Sequence, residues 1–300
     1  MALDRQKVGL VVLNWNGTSV LPHCLESLEG ASNASIHEIG KLLVDNASSD
    51  GSDHWAEREF PDWEILRTGS NLRYAGGMNT GIRAWLDRGM DYILVLNNDI
   101  RVDANFIDPL VADLESGTPR GAACPRIHYM DEPRLLWYGG GQVSRNFRIT
   151  RHRGIRRPAL GKLRQSGATE YLTGCALIGK AAFWRETLGF DESFEFYGED
   201  VDLSLRARKA GWALRYVPDS LIYHRVGFSS GGGSSEGKLR SQWKATRQLL
   251  ARHVSPAMRP LAYLAWSAHI GLRASAAIIR GEKNLPASMA TAMRKEGKSS

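Results

Sequence analysis

Three short apolar stretches, each halted by a cluster of polar residues, constrain this chain more than any other feature. Val8–Leu13 runs into Asn14-Trp15-Asn16-Gly17, Ile39–Val44 into Asp45-Asn46, and Tyr92–Leu96 into Asn97-Asn98-Asp99. Apolar runs this short suit strands buried on both faces of a parallel sheet. Helical patterns lie between them, one through Leu21, Leu25 and Leu28 and another through Met78, Ile82 and Trp85. Ile65-Leu66 suggests a further short strand before Asn71–Gly77. Strands alternating with helices predict a right-handed, largely parallel α/β sheet, and such sheets bind ligands beyond the carboxyl ends of their strands. The three polar clusters fall at those ends.

Farther along, Thr173–Phe183 reads as a helix, and Leu214–Val217 and Leu221–Tyr223 read as two late strands. Ser229–Gly237 (SSGGGSSEG) has the composition of a flexible loop, either a plain linker or a segment able to close over a ligand. Leu261–Ile279 is apolar, but His269 and Arg273 interrupt it, so it predicts a packed or interfacial amphipathic helix rather than a membrane span. The expected division is a catalytic domain over 1–228, with halves at about 1–100 and 101–228. A loop and C-terminal helices follow over 229–300.

Composition narrows the partners. Among 300 residues the formal net charge is +7, which favours something anionic: a nucleotide diphosphate, a phosphorylated lipid, a membrane surface or nucleic acid. Between residues 145 and 164, Arg145, Arg148, Arg151, Arg153, Arg156, Arg157, Lys162 and Arg164 occur with no acid among them. A solvated loop or hairpin is the ordinary reading of such a run, and a guide for an anionic acceptor the sharper one. Cys24, Cys124 and Cys175 are sparse and unpaired, which argues against a disulfide framework or a cysteine zinc site and for a reducing cytosol. The first apolar run is too short for a signal peptide.

Some of these residue types carry chemistry. A carboxylate at Asp99, emerging at a sheet edge, suits a hard divalent cation whose remaining ligands are water or phosphate oxygens. Asn-Asp is also ordinary turn chemistry. Glu199, Asp200 and Asp202 are three carboxylates in four positions, either electrostatically favoured in the first turn of a helix or a general base with a shifted pKa. His224 follows the run Leu221-Ile222-Tyr223, where it is a structural histidine or a further metal ligand. Gly76-Gly77 either admits close approach to phosphate or permits a turn. The chain lacks G-x-G-x-x-G after its first strand and lacks G-x-x-x-x-G-K-[ST], which counts against dinucleotide oxidoreductases and P-loop ATPases.

The order of the motifs is specific. It runs from VVLNWNG at 11–17 through VDNASSDGS at 44–52, Asn71–Gly81 and LNND at 96–99. It continues through Gly174-Cys175-Ala176, Gly189–Glu192, YGEDVDL at 197–203 and Val217-Pro218 to Tyr223-His224. This series, over roughly residues 8 to 250, resembles glycosyltransferase family 2, in particular its bacterial rhamnosyltransferase-like members. The resemblance implies a GT-A fold and inverting transfer from a nucleoside diphosphate sugar to a hydroxyl. By similarity, Leu13, Asn14 and Trp15 line the base and ribose, and Asp45 bonds the pyrimidine. Arg73, Gly76 and Gly77, with Asn97 and Asn98, border the nucleotide and its phosphates. Asp99 and His224 hold Mg²⁺ or Mn²⁺. Asn97 stands where the family carries the first acid of Asp-x-Asp, which implies modest metal affinity that depends on the donor diphosphate. Asp200 matches the catalytic base, with Glu199 beside it. Trp137, Tyr138, Gly174 and Asp202 fall where acceptor contacts are expected, Asp202 chiefly orienting its segment and Trp137-Tyr138 equally credible as core.

The donor expected by resemblance is dTDP-rhamnose or a UDP-sugar. The acceptor is a saccharide or polyprenyl-linked saccharide in cell-surface polysaccharide or glycolipid assembly. Charge and the C-terminal helix add an expectation of peripheral contact at the cytosolic face of a membrane. A nucleotidyltransferase would need a Gly-rich basic loop after the first strand. A nucleic-acid-binding module would want aromatics interleaved with the arginines, so no specific nucleic-acid partner is expected.

Overall fold

The computed structural model describes residues 5–117, 119–227 and 236–279, and they form two compact units. The larger unit comprises residues up to 142, 151–193 and 199–226. Its elements run β1 (Lys7–Asn14), α1 (Leu21–Ala34), β2 (Glu38–Asp45), α2 (Ser52–Glu59), β3 (Glu64–Arg67), α3 (Arg73–Asp87) and β4 (Tyr92–Asn97). Then come β5 (Ile100–Val102), α4 (Asp108–Glu115), β6 (Arg120–Tyr129), β7 (Leu136–Tyr138), β8 (Gly141–Val143), β9 (Thr150–His152) and β10 (Gly167–Ala168). The last are β11 (Ala176–Lys180), α5 (Ala181–Thr187), α6 (Glu199–Lys209) and β12 (Ala213–His224).

One sheet has the order β10-β12-β6-β11-β4-β1-β2-β3, with β5 paired to β12 and β7 to β6. Its first half, β3-β2-β1-β4, is parallel throughout. Val8, Leu10, Val11 and Val12 of β1, Leu42–Val44 of β2 and Ile93–Leu96 of β4 are fully buried, as helices on both faces require. In the second half β11 runs antiparallel between β4 and β6, and β12 runs parallel to β6. The start of β11 and the ends of β4, β6 and β12 therefore share one edge with the ends of β1 and β2. Every polar cluster singled out in the sequence meets there.

Two expectations are corrected. Thr173–Phe183 is not a helix: Ala176–Lys180 is a strand inserted between β4 and β6, and helix begins only at Ala181. A strand covered on both faces is continuously apolar, and that pattern does not distinguish it from a buried helical turn. The two late strands are one, Ala213–His224, whose pairing with β6 shifts register between Val217 and Leu221. Pro218 lies in that gap, where a residue without an N–H interrupts the ladder.

The smaller unit comprises residues 143–150, 194–198 and 227 onward. It contains α7 (Glu236–His253) and α8 (Arg259–Ile279). Leu250, Val254 and Ala262 form its core, against which Phe147, Met258, Tyr263 and Trp266 pack. Trp266 Nε1 donates to the Phe147 carbonyl (3.0 Å), and Arg148 caps the end of α7 at the His253 carbonyl (2.9 Å). Among the described residues no helix is long and apolar enough to cross a membrane. The Ser229–Gly237 stretch lies mostly outside them.

Candidate active site

The parallel register sets Asn14 beside Asp45 and Leu13 beside Asn97. Asn14 is wholly buried. Its amide nitrogen donates to Asp45 Oδ1 (3.0 Å) and Ser52 Oγ (2.8 Å), with Ser48 Oγ at 3.2 Å. Its amide oxygen accepts from Asn98 Nδ2 (2.9 Å). One side chain thus ties the ends of β1, β2 and β4 together. Asp45 accepts further bonds from Ser48 Oγ (2.6 Å) and Ser48 N (2.9 Å). Gly17 closes the cluster, since a Cβ there would stand 2.1 Å from Asn14 Oδ1 and 2.5 Å from Asn98 Nδ2. Trp15, next to this girdle, is 54% exposed.

Asn46 organises the neighbouring turn. Its Oδ1 accepts from Leu72 N (2.8 Å), and its Nδ2 donates to Asn71 Oδ1 (3.1 Å) and the Arg73 carbonyl (3.0 Å). This fixes the entry to α3, where the exposed Arg73 takes a left-handed φ of 61°. Gly76 and Gly77 lie within the helix rather than in a loop. A Cβ on Gly77 would come 2.4 Å from Leu13 Cδ1, and one on Gly76 2.8 Å from Leu72 Cβ. Their smallness lets α3 approach β1 and its own entry turn closely.

Asp99 and His224 come together through strand pairing. His224 is paired with Ile100 in the antiparallel β12–β5 register, which brings its Nε2 to 3.2 Å from Asp99 Oδ1. Both residues are buried. The Trp137 ring meets the His224 imidazole edge-on (4.6 Å between centroids) and His152 on another side (4.5 Å). His152 Nδ1 lies 2.9 Å from the Trp137 carbonyl, an acceptor only, so that nitrogen carries the proton. Burial, and then the repulsion of His224, holds the His152 pKa down to about 4, so its ring is neutral. Tyr138 is fully buried, its hydroxyl donating to the Tyr171 carbonyl (2.7 Å). Of the two aromatics expected near the acceptor, Trp137 walls the site and Tyr138 packs the core behind it.

A third group is built on β11 and α6. The Cys175 carbonyl accepts from Asn97 N (3.0 Å), so Gly174 sits beside the end of β4. Gly174 N donates to Asp200 Oδ2 (3.1 Å), and Val201 N to Asp200 Oδ1 (2.8 Å). The Tyr74 hydroxyl donates to the Gly174 carbonyl (2.5 Å), and a Cβ on Gly174 would lie 2.6 Å from that oxygen. Burial raises the Asp200 pKa, opposed by its two N–H donors. Glu199, half-buried with its Oε2 shielded from solvent and lacking a hydrogen-bond partner among the described residues, is pushed up to about 8 by desolvation and then by Asp200. Asp200 is therefore the carboxylate favoured to ionise first, while Glu199 holds its proton at neutral pH. Asp202 is buried with its carboxylate on Arg206 Nε (2.7 Å), and Arg206 also donates to the Gly189 carbonyl (2.8 Å).

The residues read from the sequence thus separate into those that build the edge and those that face it. Asn14, Gly76, Gly77, Tyr138 and Asp202 build it. Asp99, His224, Asp200 and Trp137 gather at it, and Trp15 and Arg73 are exposed beside it. Sequence reasoning did not assign Asn46, Tyr74, Ser48 or His152. Asn46, Tyr74 and Ser48 lay inside quoted motifs, whereas His152 was hidden in the arginine run. The three cysteines are free and buried, their thiols pushed up by burial, and serve packing rather than nucleophilic chemistry.

The Asp99–His224 pair suits a divalent cation. Adjacent ligands of an octahedral ion with bonds of about 2.1 Å stand about 3 Å apart, close to the 3.2 Å between these donor atoms. Among the described residues no group of three or more His, Cys, Asp or Glu is placed to hold a metal. A cation held there by these two side chains would need its other ligands from outside the protein.

Comparison with known proteins identifies the family and the fold. A model of glycosyl transferase family 2 matches residues 10–186. An N-acetylglucosaminyl-diphospho-decaprenol L-rhamnosyltransferase of Mycobacterium tuberculosis is 30% identical over 283 residues, covering 85% of this chain and 90% of that protein. Among solved structures, a mannosyltransferase from Pyrobaculum calidifontis in complex with GDP-Man and Mn²⁺ superposes with a TM-score of 0.58 at 13% identity, over 97% of this chain and 74% of that one. GalNAc-T7 with UDP, GalNAc and Mn²⁺ gives 0.59 at 16% identity over 81% of this chain, which spans half of that protein. These neighbours share the GT-A fold.

Proposed function

The chain belongs to glycosyl transferase family 2, and from that premise we propose that it moves a sugar, with inversion, from a dTDP- or UDP-sugar to a hydroxyl of a polyprenyl-linked saccharide. One observation carries the assignment of roles. Asn97, two residues before Asp99, is bonded through Cys175 to the segment whose Gly174 N–H anchors Asp200. A cation-binding carboxylate and a general base are thereby held at one sheet edge by backbone hydrogen bonds.

The nucleotide lies along the ends of β1 and β2, with its base against Trp15 and the Asp45 loop and its phosphates toward α3 and Asp99. Asp99 and His224 would hold Mg²⁺ or Mn²⁺, which when bound would neutralise charge growing on the departing diphosphate. Asp200, fixed by two N–H groups, accepts the proton of the acceptor hydroxyl as that oxygen attacks the anomeric carbon opposite the leaving group. Its raised pKa makes it a stronger base than an exposed aspartate. Neutral Glu199 beside it adds no second negative charge against the incoming oxygen. Trp137 walls the acceptor side. The mycobacterial rhamnosyltransferase favours a rhamnosyl donor and a lipid-linked acceptor.

Calorimetric titration with UDP and dTDP, each with Mn²⁺ and with EDTA, tests the donor site. Metal-dependent binding that weakens in Asp99→Ala is the expected result. Absence of binding by folded protein overturns the reading, as does a product whose anomeric configuration is retained in its NMR spectrum.

A further inference from the structure

We propose that residues 151–164 form a platform that docks the protein on an anionic phospholipid surface. This deepens the lipid-linked acceptor reading above and rests on it for its purpose, not for its physics.

The segment RHRGIRRPALGKLR carries six arginines and lysines and no acid, and backbone hydrogen bonds pin it to the sheet. Leu136 N donates to the Arg157 carbonyl (2.9 Å) and Arg156 N to the Leu136 carbonyl (2.8 Å). Gly139 N donates to the Arg153 carbonyl (3.0 Å) and Arg153 N to the Gly140 carbonyl (2.8 Å). Tyr216 donates its hydroxyl to the Leu163 carbonyl (2.9 Å). Two cations are used internally: Arg153 reaches the Ala168 carbonyl and Arg156 pairs with Glu132. Arg151, Arg157, Lys162 and Arg164 are exposed, with no ion pair among the described residues.

Two aliphatic side chains stand out among these cations. Ile155, in the turn over 153–156, is 45% exposed, and Leu160 is 66% exposed. A segment needed only for solubility would place polar side chains there. Cations interleaved with exposed aliphatics match the boundary between phosphate headgroups and acyl chains, where cations pair with phosphate and aliphatics leave water. Single-stranded nucleic acid would instead call for aromatic rings on which bases stack, and residues 151–164 contain only His152, which is half-buried and packed edge-on against Trp137 and Tyr138. The location adds to the argument. The platform is bonded to β7, the strand carrying Trp137, so a lipid surface held there lies beside the wall of the Asp99–His224 pair.

The test is sedimentation of the full chain with vesicles of phosphatidylcholine, with and without phosphatidylglycerol, and with no sugar donor present. Binding is expected only to the anionic vesicles. Each basic residue near such a surface is worth roughly fivefold in affinity. Reversing Arg151, Arg157, Lys162 and Arg164 to Glu should lower binding roughly 100-fold or more, and Ile155→Ser with Leu160→Ser about tenfold. Neutral glutamine replacements serve if the reversals disturb folding, and UDP titration of every variant checks the nucleotide site. Wild-type protein that ignores anionic vesicles overturns the proposal, as does binding unaffected by both sets of substitutions. Tighter binding to a random single-stranded oligonucleotide than to the vesicles, lost on charge reversal, also overturns it. Vesicle binding that behaves as expected in a protein that fails to bind UDP or dTDP leaves the platform standing and sinks the nucleotide-sugar reading.

Discussion

At Asn14 one buried amide satisfies groups from three strand ends, so Asn14→Ala strips partners from Asp45, Ser52 and Asn98 together. The expected loss is about 3 kcal/mol, measured by urea denaturation, because buried polar groups left without partners incur their desolvation cost with nothing to offset it. Asp200→Asn should behave differently. Removing a general base lowers kcat by about 10²–10⁴-fold while UDP affinity, read by calorimetry, stays within about twofold of wild type. Glu199 makes a pH prediction. Its pKa is raised in the fold from an ordinary 4.5 to about 8, so its contribution to stability is fully present below 4.5 and is lost as pH rises through 8. Wild type should therefore melt at a lower temperature at pH 9 than at pH 6, and Glu199→Gln should flatten that difference in thermal scans. An unchanged slope in the variant would remove Glu199 from the account.

Among the elements, α3 shows how close packing sets a binding edge. Gly77 faces Leu13, and a Cβ on Gly81 would stand 2.4 Å from Val11 Cγ1 and 3.0 Å from Val44 Cγ2. Gly81→Ala gains about 1 kcal/mol of helix propensity but overpacks a rigid valine pair at a cost of about 1–3 kcal/mol. A net destabilisation of about 1 kcal/mol is expected from denaturation midpoints. A stabilised variant would show that the helix–sheet spacing adjusts freely. In the sequence the glycines suggested phosphate approach or a turn, whereas the contact that explains them crosses from helix to strand. The strand at Ala176–Lys180 makes the same point. Its residues carry no period that separates strand from helix, and its identity follows from the neighbours that pair with it.

Over the whole molecule, the Asp99–His224 pair joins the end of β4 to the end of β12, 125 residues later in the chain. Asp99→Ala should reduce metal-dependent UDP or dTDP affinity by more than about tenfold, and His224→Ala by a smaller factor, since a charged oxygen holds a hard cation better than an imidazole does. EDTA should erase the difference among wild type and both variants in calorimetry. Variants that bind nucleotide as wild type does in Mn²⁺ would remove the metal from this pair.

The sequence by itself determined the α/β architecture and the edge of the sheet where the candidate site lies. Buried parallel strands must be apolar throughout, and their polar ends must then lie where the sheet opens to solvent. The ordered motifs also named Asp99, Asp200 and His224. Tertiary structure alone decided which polar residues build the site and which face it. Asn14 and Tyr138 are sequestered by partners 31 and 33 residues away, and no local pattern encodes a hydrogen bond formed between segments so distant in the chain. The same reason hid His152 and the pinned arginine platform. A run of cations looks solvated in one dimension, and only the backbone bonds to β7 reveal a fixed surface.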